Sequence, residues 1–129
     1  MGLIFYATDT NGIGKSLWNM HQKLVAEYNG EFFQSIDTLS QKLRSPRDDL
    51  TIAVLLASTQ EELLDILSIR VLLEGIRIIL ILPDSNRDTI MIGHTLLPRF
   101  ITYVNSNVSW VNAVLNKMLS NYHPGEKEG

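Results

Sequence analysis

The chain has 129 residues, of which 45% are hydrophobic and 19% charged, so its size and apolar content are those of one globular domain. It contains no cysteine, which excludes disulfides, thiolate metal sites and cysteine nucleophiles. Its 11 basic and 14 acidic residues leave a formal charge of −3. No strongly basic surface is therefore expected, and nucleic-acid binding is not predicted.

Five short apolar runs are spaced along the chain, and four of them are nearly continuous in aliphatic residues, as in strands covered on both faces. The predicted strands are residues 3–7, 31–36, 51–57, 77–82 and 100–104. Patterns typical of helices lie between and after them, over residues 15–28, 38–44, 61–74, 87–96 and 108–122.

The alternation of strands and helices predicts a single α/β domain over residues 1–120. We expect three α/β/α layers around a five-stranded parallel sheet in the flavodoxin-like order 2-1-3-4-5, because parallel strands need right-handed helical crossovers. The polar residues 121–129 are expected to form a flexible tail.

Three boundary signals support these elements. Asn29-Gly30 is typical of a helix C-cap, and Ser45-Pro46 of the end of the second helix. Thr59 and Glu62 form a capping box at the start of the third helix, because each side chain can accept from an unpaired backbone N–H group.

The chain shows no signal of export or membrane insertion. Residues 1–6 lack the basic stretch of a signal peptide, and apolar runs such as residues 78–83 are far shorter than the roughly 20 residues needed to span a bilayer. A cytoplasmic protein without membrane contact is expected.

Ligands of open parallel sheets collect at the carboxyl ends of the strands, where the loop after the first strand is the richest candidate. It ends in Gly-Lys-Ser and resembles the second half of a phosphate-binding P-loop, and more nearly the glycine-lysine loop of ParA/MinD-like ATPases. It lacks that family's first lysine and one glycine, and a turn-and-cap role for its small residues is the alternative. The candidate ligand-binding residues are Asp9, Asn11, Gly12, Gly14, Lys15 and Ser16.

No metal site or catalytic set is predicted. The three histidines, His21, His94 and His123, have no ligand spacing, and His21 falls on the apolar side of its helix as a hydrogen-bonded core histidine does. A weaker alternative is Mg²⁺-assisted chemistry by Asp9 with Asp37 or Asp84, if these carboxylates converge over the strand ends.

Residues 2–120 also resemble the receiver domain of two-component response regulators. The resemblance rests on Ala7-Thr8-Asp9, Asn29-Gly30-Glu31-Phe32, Arg47-Asp48-Asp49-Leu50 and Phe100-Ile101-Thr102, each placed at or before a strand boundary. It implies an acidic pair after the first strand, a phospho-accepting aspartate closing the third, a Ser or Thr closing the fourth and a lysine closing the fifth.

This chain departs from the receiver pattern at nearly every chemical position. The acidic pair is reduced to Asp9, residues 50–60 contain no carboxylate, the fourth strand closes with Leu82-Pro83-Asp84, and no lysine lies between Arg99 and Asn116. The resemblance therefore implies a pseudo-receiver, a non-enzymatic signalling or interaction module without a cofactor. The alternative function is a small phosphate- or nucleotide-binding protein using residues 12–16.

Protein contact is the work expected of such a scaffold, with a partner protein or a second copy of the chain. The predicted interface on the last helix comprises Trp110, Val114, Lys117 and Asn121. The third helix is also more apolar than one stripe against a sheet requires. The alternative is that Trp110 lies flat on its neighbours and the third helix is simply well buried.

Overall fold

A computed structural model describes residues 2–45 and 51–121. Its strands are β1 Gly2–Tyr6, β2 Glu31–Phe33, β3 Thr51–Leu56, β4 Arg77–Leu82 and β5 Phe100–Tyr103. Its α-helices are α1 Ile13–Tyr28, α2 Ile36–Arg44, α3 Gln60–Ser68, α4 Arg87–His94 and α5 Ser109–Asn121, and a 3₁₀ helix spans Arg70–Leu73.

The five strands form one parallel sheet in the order β2-β1-β3-β4-β5, which confirms the predicted flavodoxin-like α/β architecture. One row of paired residues crosses all five strands: Phe32, Phe5, Val54, Ile79 and Phe100. Because each crossover passes through a helix, the carboxyl ends of all strands lie at the same edge of the sheet.

The core has two halves, one on each face of the sheet. Leu39 of α2 and Leu63 of α3 pack on one face, and Leu17 of α1 and Leu115 of α5 pack on the other. Every residue of β3 is buried, which explains why its sequence is continuously apolar instead of alternating.

The predicted helix boundaries at residues 29, 45 and 59 are confirmed. Asn29 caps α1 in the left-handed conformation, with φ 52° and its N–H donating to the Val25 carbonyl. Ser45 follows α2 in an extended conformation, and the Thr59 hydroxyl accepts from the N–H of Glu62 at the start of α3. None of the helices in the described residues is long and apolar enough to cross a membrane.

Two predicted elements differ from the structure. The third helix was expected to run from residue 61 to 74, but α3 ends at Ser68 and Ile69 leaves the helical conformation before the 3₁₀ turn. This change of pitch buries both Ile69 and Leu73. Ile36, predicted as the end of a strand, instead begins α2, because the Ser35 hydroxyl caps that helix by accepting from the N–H of Thr38.

The apolar surplus of the third helical segment is mostly buried, with two exceptions. Leu64 and Val71 are exposed, whereas Leu67 and Leu72 pack partly against the core. Asn121, assigned to the tail, ends α5. The rest of the predicted tail, including His123, and the receiver-like segment 47–50 lie outside the described residues.

Candidate functional site

The strand order reverses between β1 and β3, so the loops that follow these two strands flank the crevice in which this fold usually binds ligands. A single carboxylate joins the two loops. Glu62, in the first turn of α3, accepts a hydrogen bond from the Thr8 hydroxyl at 3.0 Å and another from the Ser58 N–H at 2.9 Å. The side chain thus ties the end of β1 to the end of β3.

Local sequence positions this carboxylate. The Thr59 hydroxyl accepts from the Glu62 N–H at 3.1 Å, which fixes the start of α3 and places the carboxylate at the positive end of the helix. The capping box was predicted from the sequence, and its Thr59 half is confirmed. The bond to Thr8 was not predicted, because the two residues are 54 positions apart and no local pattern links them.

The electrostatic effect of Glu62 reaches the sheet beneath it. Burial raises the pKa of Tyr6 to about 12, and the negative charges of Glu62 and Asp65 add to that shift. Tyr6 is almost wholly buried, so its phenol stays protonated and neutral.

The position that closes β3 carries no reactive group. Ala57 is fully buried and its N–H donates to the Ile81 carbonyl at 2.9 Å, continuing the sheet hydrogen bonding. The residue that follows the last position of β3 therefore ends in a methyl group.

The glycine loop between β1 and α1 is closed by its own hydrogen bonds. Asp9 Oδ1 accepts from the Asn11 N–H at 2.9 Å, and the Asn11 carbonyl accepts from the Gly14 N–H at 2.9 Å. The Gly12 carbonyl accepts from the N–H groups of Lys15, at 3.1 Å, and Ser16, at 3.3 Å. Four backbone N–H groups of the loop and the first turn of α1 are thus donated locally, the arrangement of a turn and helix start.

Backbone conformation and close packing explain why glycine occupies positions 12 and 14. Gly12 has φ 53°, in the left-handed region that side chains disfavour. Gly14 packs so closely on the Asp9 carbonyl oxygen that a Cβ atom would collide with it. Lys15 is exposed beside them. Ser16 lines a cavity of about 440 Å³ between α1 and α5, which also includes Asn107 of the loop after β5.

Two of the three carboxylates in the Mg²⁺ hypothesis, those of Asp9 and Asp84, accept local backbone hydrogen bonds. Asp84 Oδ1 accepts from the Asn86 N–H at 2.9 Å, in a turn like that made by Asp9, and Asp37 is exposed in the first turn of α2. Over residues 2–45 and 51–121, no three His, Asp or Glu side chains are grouped closely enough to hold a metal ion.

His21 is a core residue, as its helical position predicted. It is buried, with Nε2 3.0 Å from the Gly30 carbonyl oxygen, and its ring contacts the rings of Phe5, Trp18 and Phe32. A hydrogen-bonded imidazole inside an aromatic cluster has a structural role.

On α5, Trp110 is 62% exposed, which confirms its predicted place on the solvated side. Lys117 and Asn121 are exposed as well, so three of the four predicted interface residues are accessible. Val114 is different, because it is half-buried and packs against the core formed by α1, α5 and the sheet.

Scans against models of known protein families, and searches of curated proteins and of solved structures, found no match to this chain.

Proposed function

We propose that this protein is a non-enzymatic interaction module with a receiver-like scaffold, acting through protein contact in the cytoplasm. The observation that carries the proposal is the Glu62 carboxylate, which ties Thr8 to Ser58 across the crevice where ligands of this fold bind. Ala57, buried at the end of β3, offers no carboxylate at that position to accept a phosphoryl group.

The surface supports the same function. A domain that works by contact needs accessible apolar side chains that can anchor a partner. The most exposed large apolar side chains are those of Leu64, Val71, Met91, Leu97 and Trp110. A second copy of the chain is one partner of this class, with Trp110 as the expected anchor.

The alternative, a phosphate or nucleotide site at residues 12–16, receives less support from the geometry. The N–H groups of Gly14, Lys15 and Ser16 are donated to the carbonyl oxygens of Asn11 and Gly12, and Asp9 places a negative charge beside them. A phosphate would have to compete with these hydrogen bonds for the three amides.

Thermal unfolding with ligands distinguishes the two functions. We expect ATP or GTP with Mg²⁺, at millimolar concentration, to leave the Tm unchanged, because a ligand stabilises only a fold that binds it. We also expect Mg²⁺ with acetyl phosphate to leave the intact mass unchanged.

Two results would overturn the proposal. A nucleotide-dependent rise in Tm that is lost in Lys15→Ala would assign phosphate binding to the glycine loop. An acid-labile phosphoryl adduct that maps to Asp9, Asp37 or Asp84 would show that receiver chemistry operates from a displaced carboxylate.

A further inference from the structure

A cavity of about 630 Å³ lies at the edge of the sheet opposite the crevice, at the amino ends of β4 and β5. Leu73, Ile76 and Leu96 are the buried apolar residues of its lining. Its volume is in the range of clefts that bind ligands, about 300–1,000 Å³. The cavity is remote from Glu62 and the glycine loop, so neither site described above accounts for it.

Two apolar side chains of this cavity project into solvent. Val71, from the 3₁₀ helix, is 72% exposed and Leu97, after α4, is 82% exposed. These are the two most exposed large apolar residues of the described chain. The 3₁₀ turn that replaces the end of the predicted third helix is the element that presents Val71.

Leu97 holds its position at a conformational cost. Its φ is 54°, in the left-handed region, and its N–H donates to the His94 carbonyl at 3.0 Å to close the end of α4. Glycine suits this place best, and a leucine there costs about 1 kcal/mol. Backbone strain of this kind that also exposes a large apolar side chain indicates a role outside folding.

The lining is also positively charged. Arg70 and Arg99 are exposed, Arg77 is half-buried, and Glu74 is the one acidic residue of the lining, so the four charges sum to +2 (3 − 1). The whole chain has a charge of −3. The cavity is therefore a local positive region on a negative protein, and arginine binds carboxylates with two parallel hydrogen bonds.

We propose that this cavity binds an acidic peptide segment of a partner protein. The partner's apolar side chains pack on Val71 and Leu97, and its carboxylates pair with Arg70 and Arg99. The combination of exposed apolar side chains with flanking arginines favours such a peptide over a small anion, which has no apolar part to bury. This inference rests on the proposed function and names the partner class.

Selection from a displayed library of random short peptides tests the occupant directly. We expect the enriched sequences to combine apolar residues with several Asp or Glu. Synthetic versions of these peptides should bind at least about tenfold more weakly to Leu97→Gly and to the double variant Arg70→Glu, Arg99→Glu. Arg87→Glu, at the far end of α4, is the matched charge control and should bind as the wild type does.

Leu97→Gly separates binding from folding. Because glycine relieves the left-handed strain, we expect its Tm to equal or exceed that of the wild type while peptide binding falls. Loss of binding together with a lower Tm would indicate that Leu97 acts through the fold, and would overturn the assignment of Leu97 as a contact residue.

The remaining outcomes separate this inference from the proposed function. Basic or neutral enriched peptides, or binding unaffected by the Leu97 and arginine variants, would overturn the cavity assignment and leave an interaction module in place. If the protein self-associates and Leu97→Gly abolishes the self-association, the occupant of the cavity is a second copy of the chain. If inorganic phosphate raises the Tm only when both Arg70 and Arg99 are present, the cavity is an anion site. A library that yields no binder would overturn the cavity inference, and together with nucleotide stabilisation it would overturn both.

Discussion

Glu62→Ala tests whether the carboxylate that spans the crevice holds the two strand ends together. The substitution removes the acceptor of the Thr8 hydroxyl, at 3.0 Å, and of the Ser58 N–H, at 2.9 Å. It also removes a negative charge from the N-terminus of α3. The Thr59 half of the cap does not depend on the Glu62 side chain and remains.

The expected magnitude follows from these contacts. A hydrogen bond to a charged group contributes roughly 1.5–3 kcal/mol when buried. Glu62 is half-buried, so we take about 1 kcal/mol for each bond after solvent screening, and about 2 kcal/mol in total. In a domain of this size that loss lowers the Tm by about 8 °C.

Urea unfolding followed by circular dichroism measures the change. Glu61→Ala is the matched control, because Glu61 is exposed in the same helical turn and should change stability by less than about 0.5 kcal/mol. A double-mutant cycle with Thr8→Val isolates the contact between Thr8 and Glu62, for which we expect a coupling of about 1 kcal/mol.

Two results would refute this reasoning. If Glu62→Ala were no more destabilising than Glu61→Ala, the carboxylate would not stabilise the crevice. If the effects of Thr8→Val and Glu62→Ala simply added, the Thr8 hydroxyl would make no stabilising hydrogen bond to Glu62 in solution.

Three further predictions concern Tyr6, Gly14 and Trp110. Because the pKa of Tyr6 is raised from 10.0 to about 12, its contribution to stability is complete below pH 10 and is lost as pH rises towards 12, a loss of about 3 kcal/mol. Urea unfolding across that range should show this loss for the wild type and not for Tyr6→Phe. If the free energy of unfolding fell equally with pH in both proteins, the burial argument would be contradicted. Gly14→Ala should destabilise by about 2–3 kcal/mol, because its Cβ meets the Asp9 carbonyl oxygen, and a melting curve like the wild type's would mean that the loop is looser than described. Sedimentation velocity should show a species larger than the monomer that Trp110→Glu disperses without lowering the Tm, whereas a monomer at high concentration would remove Trp110 as an anchor of self-association.

Much of the fold was predictable because the relevant forces act locally. The buried strand β3 is a continuous apolar run, and Thr59 with Glu62 marks the start of α3 by hydrogen bonds within one turn. The parallel sheet follows from the alternation of strands and helices, since parallel strands require right-handed helical crossovers. The exposure of Trp110 and the burial of His21 follow from helical periodicity alone.

The local sequence pattern was insufficient to predict element boundaries where tertiary packing or a helix cap favours a different conformation. The apolar spacing after residue 60 predicts one long helix, but burial of Ile69 and Leu73 is achieved by a 3₁₀ turn that begins after Ser68. Likewise, apolar Ile36 continues the pattern of a strand, while the Ser35 hydroxyl caps a helix that already includes it.

The sequence by itself determined the α/β architecture, the helix caps and the lack of any carboxylate at residues 50–60. Only the tertiary structure decided how Glu62 joins the ends of β1 and β3, and where exposed apolar side chains lie beside charged ones. Thr8 and Glu62 become partners across 54 positions because two parallel strands end side by side, and Arg70 and Leu97 reach one cavity from two separate segments. Such contacts depend on how chain segments approach in space, and no periodicity within one segment carries that information.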